Sequence, residues 1–362
     1  MRITFLLPGR SILKPIGGFK VVYEYANRLS ERGHKINVIH PLLLFPREER
    51  FKQKMKKYVR QMANHFLKGN KIKWFSVSPK VGMLIVSSLK EENIPKGDVI
   101  IATAWQTAEW VNRYSQDKGE KFYLIQHYES WSGSEERVKG TWKMPLKKIV
   151  IARWLVEKAK ELDEEVVAYI PNGLDFMHFC IRAPIERREP ARVGMLYDPS
   201  TWKGPKDGID ALNMVKDEIP SLSAILFSKY PKGPEVPEWT EFYKNPPQER
   251  IPQIYNSCSI FLHSSRSEGW GLPPAEAMAC GCALVTSDSQ GVRDYAIHRE
   301  TALVSEIKNP AGLAQNILKL VNDNNLRISL AKRGNQYIQR FTWEKAVSKF
   351  QEVITQKQRT LV

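Results

Sequence analysis

Residues 264–287, SSRSEGWGLPPAEAMACGCALVTS, constrain this chain more than any other stretch. The apolar run Ser259 to His263 leads into it and reads as a buried strand. A turn follows at Glu268-Gly269-Trp270-Gly271. Pro273 and Pro274 then sit where a helix starts, a place that tolerates proline because an N–H there has no helical partner. Ala275 to Ala279 favour helix, Gly281 stops it, and Ala283-Leu284-Val285 resume as a strand. The unit is therefore strand, glycine turn, short helix, strand.

That order suits a diphosphate. Backbone N–H groups at a helix start carry partial positive charge and attract phosphate oxygens. Gly269 and Gly271 let the backbone come close without a Cβ in the way. Glu268 and Glu276 bracket the turn, and a carboxylate accepts hydrogen bonds from two vicinal hydroxyls, as in dinucleotide sites that hold a ribose diol. One glutamate could hold a ribose and the other a sugar. The plain alternative is an αβ unit with a proline-started helix and two solvated glutamates.

The residues E-G-W-G-L-P-P-A-E-A-M-A-C-G resemble the signature of family 4 of the retaining glycosyltransferases, usually E-G-F-G-L-x-x-x-E-A-M-A-x-G-x-P-V-V. Trp270 stands at the aromatic position and Cys282 at the usual proline. The resemblance implies the GT-B fold: two doubly wound, Rossmann-like α/β domains facing across a cleft, with a C-terminal helix crossing back to the first domain. It also implies a nucleotide-diphosphate-sugar donor.

Composition sets the frame. At 362 residues, 42% hydrophobic and 26% charged, the chain is expected to be globular with two cores. The start, MRITFLLPGR, reads as a first strand rather than a signal peptide. Cys180, Cys258, Cys280 and Cys282 have neither ligand nor disulfide spacing, so they read as reduced buried residues and a cytoplasmic chain. The net charge of +16 is uneven: residues 1–175 hold 31 Lys and Arg against 19 Asp and Glu. This asymmetry predicts an anionic partner on that side.

Much of the excess lies in 47–73, with ten Lys and Arg against two Glu. Phe51, Met55, Tyr58, Val59, Met62 and Phe66 form a stripe at helical spacing, and lysines cover the rest. Two readings stand: a basic amphipathic helix on an anionic membrane surface, or an ordinary helix with a solvated basic face. Nucleic acid is disfavoured because no recognition motif accompanies the charge.

Residues 2–7 read as a strand, with Gly17-Gly18 in the loop that follows. Next come a helix bearing Val21, Val22, Tyr25, Ala26 and Leu29, and a strand at 35–40. Without G-x-G-x-x-G this opening carries no dinucleotide fingerprint; the resemblance sets Gly17 and Gly18 near the donor phosphates or the acceptor, while spacing alone allows a simple turn. Further strands read at 98–102, 122–126, 149–151 and 166–170. His127 and Glu129 follow the strand at 122–126, at the carboxyl end where open α/β sheets place ligands. The resemblance sets His127 against the donor sugar; a lone histidine is otherwise an ordinary surface or core residue.

Residues 180–191 lack a period and carry two prolines. The expected division is 1–178 for the acceptor-side domain, 179–191 for a linker, 192–341 for the nucleotide-sugar domain and 342–362 for the returning helix. In the second half, strands read at 193–197, 224–227, 260–262 and 301–304, and helices from Asp207 and over 310–322 and 325–339. Trp202-Lys203-Gly204 follows the first of these strands, and the resemblance sets Lys203 on the donor diphosphate. The family's usual arginine is replaced by Met195, with Arg266 or Arg293 as candidate substitutes.

The resulting expectation is a retaining transferase of a hexosyl or deoxyhexosyl unit. His127, Glu268 and Lys203 would act at the reacting centre. Gly17, Gly18, Arg266, Gly269, Trp270, Gly271, Leu272 and Glu276 would hold the donor. No metal or other cofactor is expected, since no D-x-D triplet with flanking strands is present. The acceptor is expected to be a glycan or lipid-linked glycan of the cell envelope, with the enzyme cytoplasmic or peripheral at the inner membrane face. Alternatives are a GT-B nucleotide-sugar epimerase and an inactive glycan or anionic-surface binder.

Overall fold

The computed structural model describes residues 1–42, 44 and 72–356. The chain divides into two compact units, Met1–Pro171 with Glu344–Val362, and Asn172–Trp343. The basic stretch 47–73 lies almost wholly outside the described residues.

In the first unit the strands are β1 (Arg2–Leu6), β2 (Lys35–Pro41), β3 (Gly82–Val86), β4 (Val99–Ala102), β5 (Glu120–Ile125), β6 (Lys147–Val150) and β7 (Ala168–Tyr169). They form one sheet in the order β3-β2-β1-β4-β5-β6-β7. Every pairing is parallel, with Ile3 opposite both Ile36 and Val99. Parallel strands are covered on both faces, which is why β4, VIIA, reads as an unbroken apolar run. The helix Gly17–Glu31 buries Val21, Val22, Tyr25, Ala26 and Leu29, the face its spacing predicted.

The second unit has β8 (Arg192–Leu196), β9 (Ser223–Ser228), β10 (Glu241–Lys244), β11 (Ile260–His263), β12 (Ala283–Ser287) and β13 (Ala302–Ser305). Their order is β10-β9-β8-β11-β12-β13, again all parallel. In each sheet the strand order reverses once, between β1 and β4 and between β8 and β11. Loops leaving the carboxyl ends of those strands diverge to opposite faces and leave a crevice there, which is where open α/β sheets bind ligands.

Two strands escaped the sequence reading, β3 and β10. Both are sheet edges, and neither has a buried residue; β10, EFYK, carries no apolar run to mark it, whereas β3, GMLIV, carries one without burying any of it. Residues 179–191 read as a linker from composition, but here they belong to the second unit. Ile185 is buried, and the buried Arg188 guanidinium donates to the carbonyls of Ala183 (2.8 Å), Cys258 (3.1 Å) and Cys280 (2.7 Å). The segment is aperiodic because it packs as a single 3-10 turn, Ile185–Arg187, between extended stretches.

The last helix, Trp343–Thr355, belongs to the first unit from Glu344 onward. Phe350 is fully buried against Tyr25 (ring centroids 4.5 Å) and Phe5 (6.1 Å), and the Arg32 guanidinium donates to Glu344 (2.6 Å) and Gln351 (3.1 Å). Phe350→Ala should therefore cost the first unit about 3–5 kcal/mol. Native-state hydrogen exchange is expected to show lost protection in β1 and the helix Gly17–Glu31, with β11 and β12 unaffected.

Candidate active site

The loops that leave β8 and β11 are tied to each other. Gly204 ends the turn Thr201–Lys203 with φ +56° and caps the helix Pro205–Glu218. A Cβ at Gly204 would lie 2.1 Å from the Ser264 carbonyl oxygen, so only glycine lets the two backbones approach this closely. Ser264 Oγ donates to the Gly204 carbonyl at 2.8 Å, and the Arg266 N–H donates to the Trp202 carbonyl at 2.8 Å. These contacts flank Lys203 on one loop and bring it opposite Glu268 on the other.

Lys203 Nζ donates to Glu268 Oε1 at 2.7 Å; the Lys203 side chain is 29% exposed and that of Glu268 9%. Burial raises the Glu268 carboxyl, but Lys203, then His263 and the Ser265 side chain, more than offset it and hold the group at about 2. His263, the last residue of β11, brings Nε2 to 3.6 Å from the same Oε1. Burial pushes His263 down to about 4, and Lys203 pushes in the same direction against Glu268. At neutral pH the ring is therefore uncharged, and Lys203 is the cation that holds Glu268 ionised.

The turn after Glu268 is held from behind. The Glu268 N–H donates to the Ser289 carbonyl at 2.9 Å, beside Gln290 with φ +67°. Trp270 is buried against Tyr295 (5.0 Å) and Phe341 (5.4 Å). Its side chain thus anchors the loop. Gly271, φ +85°, caps the helix Leu272–Ala279, and Tyr295 Oη donates to its carbonyl at 2.6 Å. Because Pro273 and Pro274 have no N–H, the donors at this helix start come from Gly269 to Leu272. Glu276 is buried one turn along, and Tyr255 Oη donates to its Oε2 at 3.4 Å.

Arg266 reaches away from this pair. Its Nε and Nη2 bond both oxygens of Asp207, at 2.8 and 2.9 Å, in the two-pronged geometry that suits guanidinium and carboxylate. Arg293 makes the same kind of contact with Asp288, at 2.7 and 2.9 Å. Met195 is buried in β8, where its sulfur and methyl lie against Gly208. Cys258, Cys280 and Cys282 are free, buried thiols; burial pushes Cys258 up to about 11 and Cys280 to about 12, as fits packing residues.

A second polar cluster lies within the first unit, at the ends of β1 and β5. Gln126 Nε2 donates to the Gly18 carbonyl at 3.2 Å, so Gly18, at the start of its helix beside Gly17, stands next to the residue preceding His127. The His127 ring meets Trp131 edge-on at 4.3 Å and Trp154 at 5.2 Å. Glu129 accepts from the Trp105 N–H at 3.1 Å, yet burial pushes its carboxyl up to about 7.

The sequence reading passed over Asp207, His263, Ser265, Ser289 and Tyr295. Asp207 was visible only as a helix start, and His263 only as a polar residue closing the apolar run IFLH. The others are paired by contacts between loops, which spacing does not reveal.

Residues 232–337 match the model of the family described as glycosyl transferases group 1. It is similar to the O-antigen biosynthesis protein RfbC of Myxococcus xanthus, 26% identical over 71% of this chain and 20% of that protein. It is also similar to the N,N'-diacetylbacillosaminyl-diphospho-undecaprenol alpha-1,3-N-acetylgalactosaminyltransferase of Campylobacter jejuni, 35% identical over 24% of this chain and 23% of that protein. The chain spans about a quarter of the length of the curated relatives it matches. The crystal structure of Anabaena HepE in complex with UDP and glucose superposes with a TM-score of 0.74 at 17% identity, over 98% of this chain and 100% of that one. The fold is GT-B, as the signature implied.

The electrostatics of the pair predict a pH signature. The folded-state value of His263 lies below the ordinary 6.5, so its contribution is complete above pH 6.5 and is lost as pH falls toward about 4. His263→Phe removes this dependence. Wild type should lose roughly 2–2.5 kcal/mol relative to the variant between pH 7 and 4.5, measured by urea unfolding; parallel curves would contradict the assignment.

Proposed function

We propose that this chain is a retaining, family 4 glycosyltransferase that moves a hexosyl or deoxyhexosyl unit from a nucleotide-diphosphate donor to a hydroxyl. The observation that carries the reading is the Lys203–Glu268 pair, 2.7 Å apart where the second sheet reverses its strand order. An ionised carboxylate accepts hydroxyl hydrogen bonds, and the lysine is a mobile point charge suited to phosphate.

In this reading the bond between the sugar's anomeric carbon and the diphosphate oxygen breaks, and negative charge collects on the departing diphosphate. Lys203 and the N–H groups of Gly269 to Leu272 stabilise it. The acceptor hydroxyl attacks from the face the diphosphate leaves, gives its proton to that diphosphate, and the sugar keeps its anomeric configuration. The chain's contribution is positioning and fixed charge rather than a covalent intermediate, so no metal or other cofactor is called on. Glu268 holds sugar hydroxyls and Glu276 the ribose.

UDP-sugars are the first donors to test, since the similar HepE structure is a complex with UDP and glucose. The names of the relatives favour an acceptor from cell-envelope synthesis, a glycan or a lipid-linked one. Among the described residues no helix is long and apolar enough to cross a membrane. The ten basic residues of 47–73 support a working place at an anionic membrane surface.

A thermal-shift panel of nucleoside diphosphates and their sugars tests the donor side. One base should raise the melting temperature in wild type and not in Lys203→Ala. With that donor, Lys203→Ala should lower kcat by about 10²–10³, the scale of losing one charge-stabilising donor. Absence of any shift would sink the transferase reading, and conversion of the donor to a free epimer without acceptor would replace it with the epimerase.

A further inference from the structure

One oxygen of Glu268 faces two donors, and only one of them is bonded to it. Lys203 Nζ holds Oε1 at 2.7 Å, while His263 Nε2 stands at 3.6 Å, too far for a hydrogen bond. His263 is 94% buried, and Nε2 has no other hydrogen-bond partner among the described residues. A buried, neutral imidazole facing a carboxylate is stable in the tautomer that carries its proton on that nitrogen, since the other would set a lone pair against the anion. The ring is therefore a donor held just short of its acceptor.

We propose that His263 is the positioning residue of Glu268, its Nε2–H taking over Oε1 when Lys203 turns to the donor diphosphate. This rests on the reading of Lys203 as the diphosphate's counter-charge. Without a donor in its place, the departure of Lys203 would strip a buried carboxylate of its counter-charge and leave it with the Ser265 side chain as the remaining contact that favours the ionised form, which is costly. A shift of well under 1 Å brings Nε2 to hydrogen-bond distance of about 2.9 Å. Glu268 then keeps its place and its charge during the step in which it orients the sugar. β11 supplies the rigidity: His263 pairs with Thr286 of β12, and the residue before it, Leu262, pairs with both Val285 of β12 and Met195 of β8.

The test uses the full chain with Lys203→Met, which removes the lysine charge without any nucleotide. A crystal structure should show Nε2 and Oε1 at about 2.9 Å. Ring 1H–15N spectra should show a slowly exchanging Nε2–H signal that disappears when His263→Phe is added. An unchanged or longer separation, or Glu268 swung away, would overturn the exchange. Wild type with UDP should give the same His263 signal; UDP bound with that signal absent would also overturn it. If calorimetry finds no UDP binding, the donor reading fails on its own, and the Lys203→Met result still decides the exchange. In the active enzyme, His263→Phe should lower kcat roughly 10–100-fold and leave UDP affinity within about twofold, a split that general loosening of the site would not give.

Discussion

The close approach of Gly204 to Ser264 sets the second unit's site. Two loops leave neighbouring strands at the reversal of the sheet and would diverge. Instead, a left-handed glycine, a serine hydroxyl and a backbone hydrogen bond join them. Lys203 and Glu268 meet as a consequence. The Arg266–Asp207 contact adds a second tie between the same segments. The ion pair itself is partly buried, so its value lies less in net stability than in holding a carboxylate ionised at a fixed place.

Around that pair the chain spends apolar residues on rigidity. Trp270, Tyr295 and Phe341 form an aromatic anchor behind the turn, and the Tyr295 hydroxyl reaches back to the Gly271 carbonyl. The glycine turn is therefore flexible in sequence and fixed in structure. A site that works by fixed charge needs that, because its donors must already stand in place when charge develops.

Much of this was legible before any coordinates. Central parallel strands such as IIA in β4 and IFLH in β11 declare themselves by unbroken apolar runs, and helices by their period. The edge strand β10, EFYK, does not, because a half-exposed edge needs no such run. The glycine-rich turn and its two carboxylates were legible because few backbones require that order of residues. Arg266 shows where spacing stops: two residues before Glu268 it seemed a candidate for phosphate, yet its guanidinium is committed to Asp207, a partner 59 positions away in sequence. His263 was hidden for the converse reason, since a histidine at a strand end has no pattern of its own. Its significance comes from an atom-level distance to Glu268.

In the proposed function, Lys203, the turn from Gly269 to Leu272 and Glu268 together receive the diphosphate end of a nucleotide sugar. A crystal structure of the chain with UDP bound tests this most directly. The account predicts diphosphate oxygens against Lys203 Nζ and the N–H groups of that turn, beyond the ends of β8 and β11. UDP bound elsewhere in the second unit, with Lys203 still on Glu268 and the turn untouched, would contradict it.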